Sequence, residues 1–303
     1  MVTVSTSAFY ERSNQQIGSL RKQAENLQKQ VGSRERLSRS SDDPLAAAKL
    51  RSLARRERLS EIDQRNSDRA KTSLSMADSS LSSVTSSIIR ARDLALKAAS
   101  TTLTDDNRKA IAAEIDALRS NLIALGNTPD GEGVSLFGGA VFGPAYVESA
   151  GVVTYVGGAN AQVTELGEGQ TVERSIIGPD VFSFNGPSGA TDIFAVLGAF
   201  SAALNAGGTA AAAAAEDAVA ALDPALQKAT TAQTIIGTRM AWVETMDERR
   251  IASDEMIAQD RETVGGADFA TTYTRLQEMM TVLEASQASF IKLSSLSLFD
   301  QLR

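Results

Sequence analysis

The chain has 303 residues, a net charge of −7, no cysteine and no histidine. Its length allows two domains of ordinary size and a real core, while the acidic balance argues against an electrostatic nucleic-acid footprint. Without Cys and His, disulfides, thiolate nucleophiles, the commonest general base and the usual transition-metal ligands are all excluded.

No apolar run of about 18 residues is present, so no membrane span is expected. The first residues lack a basic stretch followed by an apolar one, so no cleaved secretory signal is expected either. Ile17, Leu20, Ala24, Leu27 and Val31 are spaced 3, 4, 3 and 4, a coiled-coil seam that Tyr10 extends upstream. A polar connector, Ser33 to Ser41, follows. The next helix opens at Ser41-Asp42-Asp43-Pro44, where an oxygen side chain can cap, acids suit the helix dipole and Pro is tolerated in the first turn. This helix reads on to about Ser100, with Ala77, Leu81, Val84, Ile88, Ala91, Ala95 and Ala98 as its seam. Within it the basic run Arg51, Arg55, Arg56 and Arg58, next to Glu57, Glu61 and Asp63, reads as a solvated helix face.

A turn near Thr101–Thr104 leads into a second helix, capped by Thr104, with Asp105 and Asp106 in its first turn. Ile111, Ile115, Leu118, Leu122 and Leu125 form its seam and Gly126 stops it, so the two helices read as an antiparallel hairpin. Composition then shifts to Gly, Pro and β-branched residues. Val152–Val156, Gln162–Leu166 and Thr171–Ile176 are the expected strands, and Asn185-Gly186-Pro187 closes the insert. Helix resumes at Thr191-Asp192 with Ile193, Val196, Leu197, Phe200 and Leu204, breaks at Gly207-Gly208, and restarts in the alanine run 210–215. Asp223-Pro224 marks a kink or a fresh start; Leu226, Ile235, Ile236, Met240, Val243, Met246 and Ile251 carry the helix to about Val264.

Gly265-Gly266 is the next break, with Asp268 as the cap of a last rod. Phe269, Tyr273, Leu276, Met280, Leu283, Gln287 and Phe290 repeat the 4, 3 spacing. A narrow apolar stripe at a chain end needs a partner, and the basic first rod complements the mildly acidic last one. The fold class is therefore mainly α with a small β-rich insert, a long antiparallel helical coiled-coil body formed by the amino- and carboxyl-terminal halves. Its segments are an assembly helix (1–40), the first half of the rod (41–128), the insert (129–190), the second half of the rod (191–264) and a second assembly helix (265–303).

No catalytic constellation is found. The pairs Asp42-Asp43 and Asp105-Asp106 read as caps, no calcium-loop spacing occurs, and the Gly-Gly fragments match neither phosphate-binding fingerprint. No enzyme activity, cofactor or metal is expected.

Four stretches carry a resemblance. They are Ser41-Asp42-Asp43-Pro44, Leu136-Phe137-Gly138-Gly139, the Tyr273–Phe290 heptad, and the ending Leu296-Ser297-Leu298-Phe299-Asp300-Gln301-Leu302. Through them the two helical flanks resemble the flagellin superfamily, and within it the proteins of the hook–filament junction. Ile88–Ala95 also resembles a flagellin packing helix, which keeps the filament subunit as the alternative. The resemblance implies a structural adaptor of the bacterial flagellum, a secreted protein of the type III export route, exported without a cleaved signal peptide. It implies self-association in a ring or helical lattice, with a neighbouring hook-associated protein, flagellin and an export chaperone on the carboxyl-terminal helix as partners, and neither nucleic acid nor membrane. Ile17, Leu20, Leu27, Val31, Phe269, Tyr273, Leu276, Met280, Leu283 and Phe290 would then be the seam between subunits. Ser41, Asp42, Asp43, Pro44, Leu298 and Phe299 would carry the family signature.

Overall fold

A computed structural model describes residues 6–100 and 102–300, with side chains at 8–100, 102–208 and 210–293. Its elements are α1 (Thr6–Ser33), α2 (Pro44–Ala98), α3 (Asp105–Gly126), β1 (Tyr146–Ser149), β2 (Val152–Tyr155), β3 (Val163–Gly167), β4 (Gln170–Glu173), α4 (Pro179–Phe182), β5 (Ser183–Gly186), β6 (Gly189–Asp192), α5 (Ile193–Ala206), α6 (Gly208–Gly265) and α7 (Phe269–Asp300). The chain divides into two compact units: one holds the ends, through Arg58 and from Ala252, and the other spans Leu59–Ile251.

In the middle unit the heptad of α2 is longer than its sequence reading. Ala70, Leu74, Ala77, Leu81, Val84, Ile88, Ala91, Ala95 and Ala98 are all buried. The facing row on α6 is Ala211, Ala215, Ala218, Leu222, Ala225, Ala229, Ala232 and Ile236, also buried. Alanine here is a seam residue, small enough to let two helix backbones approach closely. Arg92 pairs with Asp223 at 2.7 Å and Lys71 with Asp247 at 2.5 Å, which sets α2 and α6 antiparallel. Pro224 lies inside a continuous helix, so Asp223-Pro224 is not a fresh start. Leu222 and Ala225, buried on either side of it, hold the helix in place.

Helix α3 is capped by the Thr104 hydroxyl, which accepts from the Asn107 amide, and α5 by the Asp192 carboxylate, which accepts from the Ala195 amide. The two helices pack on each other: Ile115 and Leu122 on α3, and Phe194, Leu197 and Leu204 on α5, are at most 1% exposed. Arg119 ties them to the insert, donating to the Phe194 carbonyl (3.0 Å), the Glu148 carboxylate (2.6 Å) and the Gly151 carbonyl (2.8 Å).

The insert consists of three antiparallel hairpins, β1–β2, β3–β4 and β5–β6. Three of these strands follow the sequence reading, and β1, β5 and β6 were not foreseen. Asn185-Gly186-Pro187 belongs to the β5–β6 hairpin, whose register runs from Ser183 opposite Asp192 to Gly186 opposite Gly189. An aromatic cluster fills the insert: Phe182 lies 5.5 Å from Phe137, and Tyr146 5.3 Å from Phe182 and 5.0 Å from Phe194. Asn127, at the end of α3, donates to the Tyr146 carbonyl (2.9 Å) and accepts from its amide (2.8 Å), fixing the first hairpin to the helix.

In the terminal unit α1 and α7 pair antiparallel. Tyr10 stacks edge-on against Phe290 at 5.6 Å at one end. At the other, the Ala267 amide donates to the Arg34 carbonyl (2.9 Å) and the Arg36 amide to the Gly265 carbonyl (2.7 Å). The start of α2 and the end of α6 pair through buried Leu53 and Ile257, flanked by Lys49–Asp260 (3.7 Å) and Arg261–Glu57 (3.2 Å).

Candidate assembly surface

The Ser41-Asp42-Asp43-Pro44 stretch makes a compact corner. Asp43, not Ser41, caps α2: its carboxylate accepts from the Ala46 amide at 3.0 Å and pairs with Arg36 at 3.2 Å, with Pro44 at the first helical position. The Ala46 amide and then the Arg36 guanidinium hold the Asp43 carboxyl below the usual carboxylate range. Asp42 shapes the turn before it, accepting from the Arg39 amide (2.8 Å) and the Ser38 hydroxyl (3.1 Å). Arg36 also donates to the Val264 carbonyl at 3.0 Å, so one arginine joins the corner to the end of α6.

On α1 the residues turned toward α7 are Tyr10, Ile17, Leu20, Ala24, Leu27 and Val31, with Ser13 completing the row. Ala24 is buried and the others are half-buried. On α7 the seam keeps three positions of the sequence reading and shifts by one residue at the positions between them. Thr272 and Leu283 are buried, and Leu276, Met279, Ser286 and Phe290 half-buried, spaced 4, 3, 4, 3 and 4. Leu276, Leu283 and Phe290 were expected on this face and lie on it. Phe269, Tyr273 and Met280, 54%, 46% and 45% exposed, do not; with Gln287 they form a second stripe open to solvent. Phe269 and Tyr273 stack on each other there, 6.0 Å apart. The small Thr272 and Ser286 fit the closely approaching backbones, and the large aromatics are displaced outward. Beside the seam an open cleft of about 500 Å³ is lined by Leu20, Leu27, Met279 and Val282 among polar neighbours.

Asp268 caps α7, accepting from the Thr271 hydroxyl (2.6 Å) and the amides of Ala270 (3.0 Å) and Thr271 (3.3 Å); these bonds, the hydroxyl's first, hold its carboxyl below the usual carboxylate range. The side chains of Leu298 and Phe299 lie outside the described residues. Among the described residues no acidic cluster could hold a metal ion, and no helix is long and apolar enough to cross a membrane.

Residues 4–141 match the family model of the bacterial flagellin N-terminal helical region. Along nearly its whole length the chain is similar to flagellar hook-associated protein 3. The chain is 27% identical to that protein from Escherichia coli K12 over 97% of its own length and 98% of the relative's. It superposes on a structure described as a flagellar hook-associated protein from Vibrio parahaemolyticus with a TM-score of 0.68 and 25% identity, over 73% of this chain and 98% of that one. The flagellar junction protein FlgL from Legionella pneumophila shares the fold, with a TM-score of 0.60 and 16% identity over 72% of this chain and all of that one. The similarity therefore runs nearly end to end and is not confined to the helical flanks.

Proposed function

We propose that the chain is a structural subunit of the bacterial flagellum, an adaptor at the hook–filament junction that assembles through its terminal helices. The observation that carries this is the antiparallel pairing of α1 with α7, the two ends of the chain, in a protein similar along its length to hook-associated protein 3. The curated relatives are named for a place in the flagellum and not for a reaction. The filament subunit is not favoured, because those relatives are hook-associated proteins.

The seam residues divide by role in this reading. Ile17, Leu20, Leu27, Val31, Leu276, Leu283 and Phe290 lock the two ends of one chain together. Phe269, Tyr273 and Met280 are left exposed for a neighbouring subunit, since apolar stripes of this kind on a surface mark interaction sites. Residues 1–40 and 265–303 act as the assembly helices; 41–128 and 191–264 form the rod that carries the insert, 129–190. Subunits associate in a ring or helical lattice, between a neighbouring hook-associated protein and flagellin, after export without a cleaved signal peptide and with a chaperone on the carboxyl-terminal helix. Ser41, Asp42, Asp43, Pro44, Leu298 and Phe299 carry the family signature.

Deleting Phe269–Arg303 tests the reading. Assembly at the junction should be lost while the Leu59–Ile251 unit stays folded by Trp242 fluorescence; flagella that retain the truncated chain at the junction would overturn it.

A further inference from the structure

The arginine run on α2 is not absorbed by the seam. In the terminal unit Arg51, Arg55 and Arg58 are exposed at i, i+4 and i+7, on the side of α2 away from buried Leu53. Within the same unit the neighbouring acid on α2, Glu57, is bound to Arg261. In the same unit α6 exposes Glu255 and Glu262, seven residues apart, on the side away from buried Ile257. None of these five side chains has a hydrogen-bond or ion-pair partner among the described residues.

Set antiparallel, the two rows have one register at which both Arg51 and Arg58 face a glutamate. Arg51 falls opposite Glu262 and Arg58 opposite Glu255; Arg55 falls opposite Ala258, beside Gln259. Within one chain the rows cannot meet, because α2 and α6 already pair through their other sides and each helix is about 10 Å across with its side chains. We propose that the rows are the two halves of one contact between copies, with α2 of one subunit lying antiparallel along α6 of the next. Copies of common polarity present α2 and α6 running in opposite directions, so the register needs no reorientation. The contact is head-to-tail and propagates to a ring or lattice. Its charges select the partner and the register. It rests on the reading of the chain as an assembling subunit.

The absence of cysteine makes the test direct. Arg58→Cys and Glu255→Cys are introduced together and singly into the full-length chain, and flagella assembled from each variant are oxidised. A disulfide requires Cα atoms within about 7 Å, which these positions reach only across copies. The double variant should give a ladder of covalent multimers, and the single variants no ladder. Multimers trapped by a lysine-reactive cross-linker but not through the cysteines overturn this contact and leave the assembly reading standing. No multimers by either route overturn both. A second measurement guards against a misfolded cysteine variant: Arg51→Glu with Arg58→Glu should weaken self-association about tenfold, the factor two exposed ion pairs amount to. Adding Glu255→Arg and Glu262→Arg to the same chain should restore it, and failure to restore overturns the pairing.

Discussion

Asp247 on α6 is the most consequential polar side chain of the α2–α6 seam, and Asp247→Asn isolates its charge. The residue is 9% exposed and pairs with Lys71 of α2 at 2.5 Å and with Arg250 at 2.7 Å, while Arg250 also reaches the Ser67 hydroxyl at 3.3 Å. Removing one member of a buried ion pair costs about 3–5 kcal/mol. Lys71 is 37% exposed and can turn to water, so the expected loss is smaller, about 2–3 kcal/mol. Burial pushes the Asp247 carboxyl up, but hydrogen bonds from Lys71, Arg250 and Ser67 outweigh it and hold it below its ordinary 3.8. A lowered folded-state value means that the contribution is present above the ordinary carboxylate range and is lost as pH falls through the lowered value. Urea unfolding followed by Trp242, the chain's single tryptophan, reads the same unit. The stability gap between wild type and Asp247→Asn should be widest at neutral pH and narrow in acid. A gap below about 0.5 kcal/mol, or one that is the same at both pH values, would refute the argument and reduce the cluster to surface pairs.

Ile115→Ala empties a fully buried site on α3 beside α5 and should cost about 3 kcal/mol in the same unfolding assay. Gly167→Ala sets a Cβ against the Asp63 carboxylate at a backbone φ of +99°, so the β3–β4 hairpin should be cleaved faster by protease at about 1–3 kcal/mol of strain. Leu283→Asp and Met280→Asp separate the two stripes of α7. Hydrogen exchange of α1 should accelerate for Leu283→Asp, 8% exposed, and stay unchanged for Met280→Asp, 45% exposed; equal acceleration would return the seam to the stripe read from the sequence.

That seam shows where sequence reading stops. On α1 the row Tyr10, Ile17, Leu20, Ala24, Leu27 and Val31 was legible because no neighbouring row is apolar. On α7 two rows share Leu276, Leu283 and Phe290 and differ at positions one residue, about 100° of helix, apart. Periodicity alone ranks Tyr273 and Met280 above Thr272 and Ser286, and only backbone proximity reverses the order. The alanine run 210–215 reads as a helix former and not as a seam, because alanine carries almost no hydrophobic signal; Ala211 and Ala215 are nonetheless fully buried, as are Ala225, Ala229 and Ala232, at most 2% exposed. Caps survived translation best, since Thr104, Asp192 and Asp268 act through local bonds. The β1 strand, Tyr146–Ser149, buries one residue in four and had no alternation to find.

The exposed groups of the terminal unit divide by chemistry in a way that bears on assembly. Phe269, Tyr273 and Met280 on α7 offer apolar area, which supplies affinity with little preference for partner. Arg51, Arg58, Glu255 and Glu262 offer little affinity at an exposed site, but a contact of α2 with α2 or of α6 with α6 would set like charges together and is disfavoured for that reason. A subunit that must add to a growing lattice in one orientation needs both. The apolar stripe alone would tolerate slippage by a heptad, since its spacing repeats; the same slip leaves the charge rows only one of their two facing pairs, Arg58–Glu262 or Arg51–Glu255. Affinity and register are thus carried by different helices of the same unit.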